Sequence, residues 1–250
     1  MKDDFAKVVY LVRSGKTSRV DFHMHSNFSD GQSTIEEYVI SARSKGLEAI
    51  AITDHVWRSS EWVDKYVSEI KELQRKYDSI IILAGLEAKV IDLDGNVDVS
   101  EEDRDKVDFI MAVVHRFLPE EASPYNDLSK LAPGEAAELE TELTIKLIRN
   151  PRVDIIGHFT RTYYKFHFGN RTKEEFPEQL IRKVVREAAK WQKPMEYGTT
   201  LPSKDKLLRL CLKEGAPFTI GSDSHNAKDI GNIKYDELRG FVEDFSGRKD

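Results

Sequence analysis

Seven times along this chain a short apolar run is followed by a longer segment whose apolar residues recur at helical spacing. No other feature narrows the fold as much. Runs such as 47–53 and 80–84 are nearly continuous in apolar residues, as strands covered on both faces must be; the others lie at 19–25, 109–114, 153–156, 194–197 and 217–220. Strands alternating with helices imply a parallel sheet with right-handed crossovers, and seven such units in 250 residues favour closure into a barrel. With 40% of its residues apolar the chain can bury one large core, so residues 1–250 are expected to form a single α/β barrel domain. Residues 1–18, with Phe5, Val8, Val9, Leu11 and Val12 ahead of Gly15, read as an N-terminal helical extension, and 226–250 as a C-terminal helix and tail.

Local signals punctuate the units. Ser33 and Glu36 have the spacing of a capping box ahead of the stripe Ile35, Tyr38, Val39 and Ala42, which stops at Gly46. Ser60 reads as the cap of a helix with Trp62, Val63, Tyr66, Val67, Ile70 and Leu73 on one face. Segment 89–99 alternates around Asp94-Gly95-Asn96, which suggests a hairpin inserted above the barrel. Loops follow His115 and His158, the second rich in aromatic residues.

In a barrel of this kind the loops at the carboxyl ends of the strands line one common mouth. Six of the seven histidines (His23, His25, His55, His115, His158 and His225) fall at or just beyond these strand ends, together with Asp30, Glu87 and Asp223. Core histidines scattered through the fold would have no reason to collect there. His23 and His25 are two apart on a strand and so face the same side, as two ligands of one divalent ion do. Mixed imidazole and carboxylate ligands suit zinc, manganese or iron, whereas an all-oxygen set would point to magnesium or calcium. Nine candidate ligands exceed what one ion takes, so two or three sites sharing a carboxylate are expected. Such clusters hold a hydroxide as nucleophile and clamp the attacking and leaving oxygens in displacement at phosphorus.

These residues resemble the motifs of the polymerase and histidinol phosphatase (PHP) superfamily. His23-x-His25, Ser29-Asp30-Gly31, Thr53-Asp54-His55, Glu87, His115, Gly157-His158 and Gly221-Ser222-Asp223-x-His225 stand in that family's order, over residues 20–225. The resemblance implies a distorted seven-stranded (β/α) TIM-like barrel with a trinuclear metal site at its mouth. It assigns one metal to His23, His25, Glu87 and Asp223, a second to bridging Glu87 with His115 and His158, and a third to Asp30, His55 and His225. In some histidinol phosphatase-like members a histidine stands where this chain has Asp30; an aspartate there also ligates. The activity implied is a metal-dependent phosphoesterase acting on a small phosphomonoester, histidinol phosphate-like or a nucleotide, with Glu87, Asp223 and His225 at the reacting centre.

Arg116, next to His115, and Arg161, three residues after His158, are candidate contacts for a substrate phosphate, because a guanidinium forks onto phosphoryl oxygens. Tyr163, Tyr164, Phe166 and Phe168 either stack on a substrate ring or pack their loop onto the barrel, and His167 lies off the ligand pattern. Asp54 could orient a ligand or be structural, and Glu196 ends a strand with no metal assigned to it. A net charge of −6 argues against a protein that grips long nucleic acid. The single cysteine, Cys211, excludes a disulfide framework. The apolar run 8–12 is too short to span a membrane and no cleavage pattern follows it, so a cytoplasmic protein is expected. Three alternatives stay open: a phosphodiesterase or nuclease on short nucleic acid, an amidohydrolase-like enzyme, and a catalytically silent binding module. Amidohydrolase-like barrels carry a lysine between their metals where this chain has Glu87, and a full ligand set argues against the silent module.

Overall fold

The computed structural model describes residues 19–115, 131–167 and 175–246. The helix expected over 1–18, Arg116 and Phe168 lie outside them. Seven strands, β1 (Val20–Asp21), β2 (Ala49–Val56), β3 (Ile81–Lys89), β4 (Phe109–Val113), β5 (Ile155–Ile156), β6 (Met195–Gly198) and β7 (Phe218–Gly221), form one parallel sheet in sequence order. Helices follow the strands: α1 (Ile35–Ser44), α2 (Val63–Lys76), α3 (Glu101–Lys106), α4 (Pro133–Arg149), α5 (Arg161–His167), α6 (Glu178–Trp191), α7 (Lys204–Glu214) and α8 (Tyr235–Ser246). The sheet curls into a nearly closed, TIM-like barrel.

Closure depends on the segment after β1. Its ladder with β2 covers only Val20 and Asp21, but the chain continues extended through His25 and bonds to both neighbours. Phe22 N–H donates to Ile220 O at 2.8 Å and His25 N–H to Ser224 O at 2.8 Å on the β7 side; Thr53 N–H donates to Met24 O at 2.8 Å on the β2 side. The first strand is thereby wedged between the second and the last. Tyr38 of α1, fully buried, fastens this seam: its hydroxyl lies 2.9 Å from His25 O and 3.0 Å from Ser224 O and shares one proton between them. Tyr38→Phe keeps the ring and deletes that donor, so it is expected to cost about 1–2 kcal/mol in urea unfolding. An unchanged midpoint would mean the seam holds without it.

The core is continuous from strands to helices, with Ile50, Ile52, Phe109, Met111 and Ile155 on the sheet and Ile35, Val39, Ile70, Ile181 and Val184 on the helices all essentially inaccessible. β2 and β3 run longer than their apolar cores, so His55 and Glu87 sit within strands and in register with each other. The register matters because it sets those two side chains side by side at the mouth.

Several local expectations shift. The capping box is Thr34 with Glu37, one residue later than Ser33 with Glu36: Thr34 Oγ1 accepts Glu37 N–H at 3.2 Å, and Glu37 Oε2 accepts Thr34 N–H at 2.7 Å. Ser33 is engaged elsewhere, its hydroxyl accepting Ala227 N–H at 3.1 Å. Ser60 does not cap α2; its hydroxyl accepts Trp57 N–H at 3.0 Å within the preceding turn, and the helix begins at Val63. The 89–99 segment does fold back, through an antiparallel bridge between Val90 and Val97 with Asp92 capping the turn. The aromatic stretch after His158 is helix α5 where a loop was expected.

Candidate metal centre

All nine expected ligands converge at the carboxyl end of the barrel. The extended chain after β1 delivers His23 and His25, the next turn Asp30, β2 His55, β3 Glu87, the end of β4 His115, the end of β5 His158, and the turn after β7 Asp223 and His225. Glu87 is at the centre. Its Oε1 lies 2.9 Å from His158 Nε2, 3.3 Å from His115 Nε2 and 3.5 Å from His23 Nε2. Its Oε2 lies 2.6 Å from His55 Nδ1 and 3.6 Å from His25 Nε2. Asp223 Oδ1 approaches His25 Nε2 at 3.3 Å and His23 Nε2 at 3.5 Å. At the rim, Asp30 Oδ2 is 3.5 Å from both His55 Nε2 and His225 Nε2.

Four overlapping groups emerge: His23, His25 and Asp223; His23, Glu87 and His158; His55, Glu87 and His115; and His25, Asp30, His55 and His225. They differ from the expected partition at three places: His55 groups with Glu87 and His115 as well as with Asp30 and His225, His25 stands in two groups, and His158 groups with His23 and Glu87 apart from His115. The floor (His23, His25, Glu87) is buried, while Asp30 is 55% exposed at the rim, where the cluster opens to solvent.

The donor set fits divalent ions. The Nε2 atoms of His23 and His25 are 3.1 Å apart, and those of His115 and His158 3.2 Å. Ligand atoms held about 2.0–2.1 Å from a tetrahedral ion stand roughly 3.3 Å from each other. The buried Nδ1 atoms of His25 and His158 have no hydrogen-bond partner among the described residues, although buried polar atoms normally find one. Electrostatics agree. Burial works against a charge on His23, yet the carboxylates of Glu196, Asp223 and Glu87 outweigh it and raise its pKa well above the usual imidazole range. Burial would likewise raise Glu87 and Asp223, but His23 and the other imidazoles around them hold both carboxyls well below their ordinary values. Burial lowers His25 and His115, favouring the neutral imidazoles that bind metals. The site is built to hold positive charge.

Carboxylates behind the cluster orient it. Glu196 Oε1 accepts from His23 Nδ1 at 2.7 Å, which turns the Nε2 lone pair toward Glu87, while its Oε2 accepts His158 N–H at 2.5 Å. Gly221 makes room for it: a Cβ there would stand 2.1 Å from Glu196 Oε1. Asp54 accepts from Ser26 N–H and from the hydroxyls of Ser26 and Ser29, at 2.8, 2.6 and 2.6 Å, and so holds the turn that carries Asp30. Buried Asp21 accepts Ser222 N–H at 2.9 Å and Gly231 N–H at 2.8 Å, fixing the turn that carries Asp223. His225 Nδ1 lies 3.0 Å from Asp223 O; donating there leaves its Nε2 free to ligate. His158 and Asp223 both have positive φ, 23° and 56°, a backbone cost tolerated where geometry is dictated by a site. Nothing in the sequence signals this role for Asp21; for Glu196 the signal is a lone carboxylate in the short run 194–197, and the structure places it within β6.

Glu196→Gln tests this support. An amide offers one acceptor and one donor, so it can keep the bond to His23 only by aiming its NH₂ at His158 N–H. Metal affinity is expected to drop roughly 10- to 100-fold in competition with a chromophoric chelator. Unchanged affinity would reduce Glu196 to packing.

Arg161 comes to the mouth, its Nη1 in contact with Asp223 Oδ2. Tyr163 is buried edge-on to Phe176 and belongs to the packing of α5, and Tyr164 is partly buried against Tyr163. Trp57 is exposed near the mouth, its ring 6.4 Å from that of His55. No helix among the described residues is long and apolar enough to cross a membrane.

Comparison with known proteins gives a consistent picture. The family model described as PHP domain matches residues 21–200. That stretch ends before Asp223 and His225, which barrel closure returns to the other ligands. A protein of Caldicellulosiruptor saccharolyticus named "Probable phosphatase" is 28% identical over 233 residues, 90% of this chain and 87% of its own length. Another of that name from Thermoanaerobacter sp. (strain X514) is 30% identical over 230 residues, 86% of this chain and 82% of its own. Among solved structures, the histidinol phosphate phosphatase of Lactococcus lactis subsp. lactis, complexed with zinc, L-histidinol and phosphate, shares the fold with a TM-score of 0.70 at 23% identity, covering 91% of this chain and 94% of that one.

Proposed function

The chain belongs to the PHP domain family and is a metal-dependent phosphatase, and from that premise we propose that it hydrolyses a small phosphomonoester at two or three divalent ions (zinc, manganese or iron) held by the nine residues at the barrel mouth. The observation that carries this reading is Glu87: a buried carboxylate with imidazoles facing both of its oxygens has the placement of a bridge between ions. Ions bound there would supply Lewis acidity toward the phosphoryl oxygens and an activated water as nucleophile.

The chain's own residues then have separable tasks. Glu87 and Asp223 stay ionised at any physiological pH, because the surrounding cations hold their carboxyls low. Arg161 presents its guanidinium at the edge of the cluster, where a second N–H can fork onto a phosphoryl oxygen while Nη1 keeps Asp223 in place. His225, at the rim with Asp30 and His55, faces the solvent side, by which a leaving alkoxide would depart. A cleft of about 360 Å³ above them suits a small metabolite such as histidinol phosphate or a nucleotide. An amidohydrolase-like reaction is disfavoured because Lys89, two residues past Glu87, pairs with Asp98 at 3.3 Å instead of joining the cluster.

The test is phosphate release from a panel of histidinol phosphate, nucleoside mono- and bisphosphates, sugar phosphates and an aryl phosphate, with metal-loaded and chelated protein in parallel. Metal-dependent release from a monoester is expected. Cleavage confined to diesters would overturn the monoesterase reading.

A further inference from the structure

The turn between β5 and α5 is held in a backbone shape that its sequence resists. Thr160 has φ 81°, and a β-branched residue in that region is a genuine outlier. Such strain persists only where the surroundings over-determine it. Here Glu140 of α4, which is buried, accepts Thr160 N–H at 2.9 Å with one carboxylate oxygen and Tyr163 N–H at 2.8 Å with the other. The Thr160 hydroxyl lies 2.6 Å from that of Ser203, and the Tyr163 ring is sealed against Phe176.

Arg161 stands between those two clamped N–H groups. Its guanidinium reaches Asp223, while the hydroxyl of its neighbour Thr162 donates to Val114 O, one residue before His115. The start of α5 thus meets ligand-bearing segments after two strands, β7 and β4, and Glu140 fixes where it sits. His158 is held separately, through the bond of its N–H to Glu196, so the ions should not depend on Glu140.

We propose that Glu140 is a positioning residue of the phosphatase: by clamping the backbone on either side of Arg161 it aims that guanidinium at the phosphoryl group beside Asp223. The inference rests on the phosphoesterase reading, with Arg161 as its phosphate contact, and deepens it.

Glu140→Gln changes one atom and almost no volume, but offers one acceptor to two N–H groups and must turn its NH₂ toward the other. Its effect is read on metal-loaded protein as kcat/KM for phosphate release and as the Kd of inorganic phosphate in calorimetric titration, with metal content measured on the same samples. Arg161→Met is expected to weaken both readouts roughly 10- to 100-fold, the worth of hydrogen bonds to a charged group. Glu140→Gln should lose roughly tenfold in each while keeping its ions, because a small misplacement of a binding group is costly. The double variant should be no worse than Arg161→Met alone, since Glu140 acts through Arg161. Leu143→Ala, which opens a cavity in the same helix, should lower stability yet leave both readouts at the wild-type level.

Wild-type behaviour of Glu140→Gln would overturn the inference. So would losses that multiply in the double variant, ions lost from Glu140→Gln, or an equal deficit in Leu143→Ala. Each of these leaves the phosphoesterase reading standing. A wild type that binds phosphate but releases none from any ester would sink that reading, and the binding cycle would still decide the role of Glu140. No phosphate binding by the wild type would overturn both.

Discussion

Glu87→Gln is expected to reduce metal-dependent phosphate release by roughly a thousandfold or more, about 4 kcal/mol of transition-state stabilisation, while the barrel still folds. The substitution changes one atom and almost no volume. It places an NH₂ where a carboxylate oxygen now faces ring nitrogens of His158, His115 and His23, or of His55 and His25. Those nitrogens must be lone-pair donors to bind ions, and an amide N–H pointed at them competes for the same lone pairs. The amide also removes the negative charge that would offset dications held on either side of it in the proposed site, so metal binding should weaken. Folding should survive because Glu87 makes its contacts within the cluster, while the strand that carries it is held by its pairing with β2 and β4. Elemental analysis, circular dichroism and the phosphate assay on one preparation decide the matter: a folded, metal-depleted, inactive variant is expected. Wild-type turnover would sink the proposed site.

The reason Glu87 could be singled out from sequence alone is that strand ends are legible and what stands behind them is not. An apolar run that stops marks where the barrel mouth must be, so a histidine or carboxylate at that point carries positional information; six histidines did so at once. Glu196 stands in the short run 194–197, but one carboxylate without a histidine companion is ordinary, and only the fold brings it to His23, 173 residues away. Glu140 was invisible for a different reason. It sits in an amphipathic helix beside Leu139, where a glutamate normally meets water, and nothing local signals that two backbone N–H groups from beyond His158 will close over it. That enclosure lifts its carboxyl to about 8 through burial, only partly offset by those same bonds.

Other misses are matters of local competition. Ser33-x-x-Glu36 and Thr34-x-x-Glu37 are equally good capping boxes as strings, and a tertiary bond from Ser33 to Ala227 decides between them. Helix α3 has six residues, Glu101–Lys106, and no apolar stripe, so periodicity is silent about it. Helix α5 packs tyrosines inward over so short a length that its spacing cannot be told from an aromatic loop. Closure of the first strand onto the last depends on bonds from Phe22 and His25 to residues about two hundred positions away, and has no local signature at all. Elements with their own hydrophobic period were readable; those made by long-range pairing were not.

Stripping the divalent ions is expected to destabilise the protein as well as silence it, and to do so more strongly as pH rises. An ion that binds only the folded state at a thousand times its Kd contributes about 4 kcal/mol, and two or three such sites act together. The pH dependence follows from His23. In the chelated protein its pKa is raised, because Glu196, Asp223 and Glu87 together outweigh the cost of burying the charge. A raised pKa in the folded state stabilises fully below the unfolded value of about 6.5 and is lost as pH climbs through the folded value. The chelated protein therefore weakens toward alkaline pH, when the carboxylates around His23 lose the positive charge that its imidazole carries. With ions bound, His23 must give up that proton, and the ions take over its role, so binding is favoured by the same rise in pH. The gap in Tm between metal-loaded and chelated protein should accordingly widen from pH 6 to pH 9. Calorimetric titration of metal in two buffers of different ionisation enthalpy should register proton release near neutrality. A Tm gap that stays constant across this range, or closes, would show that the cluster's charge is balanced by something other than bound cations.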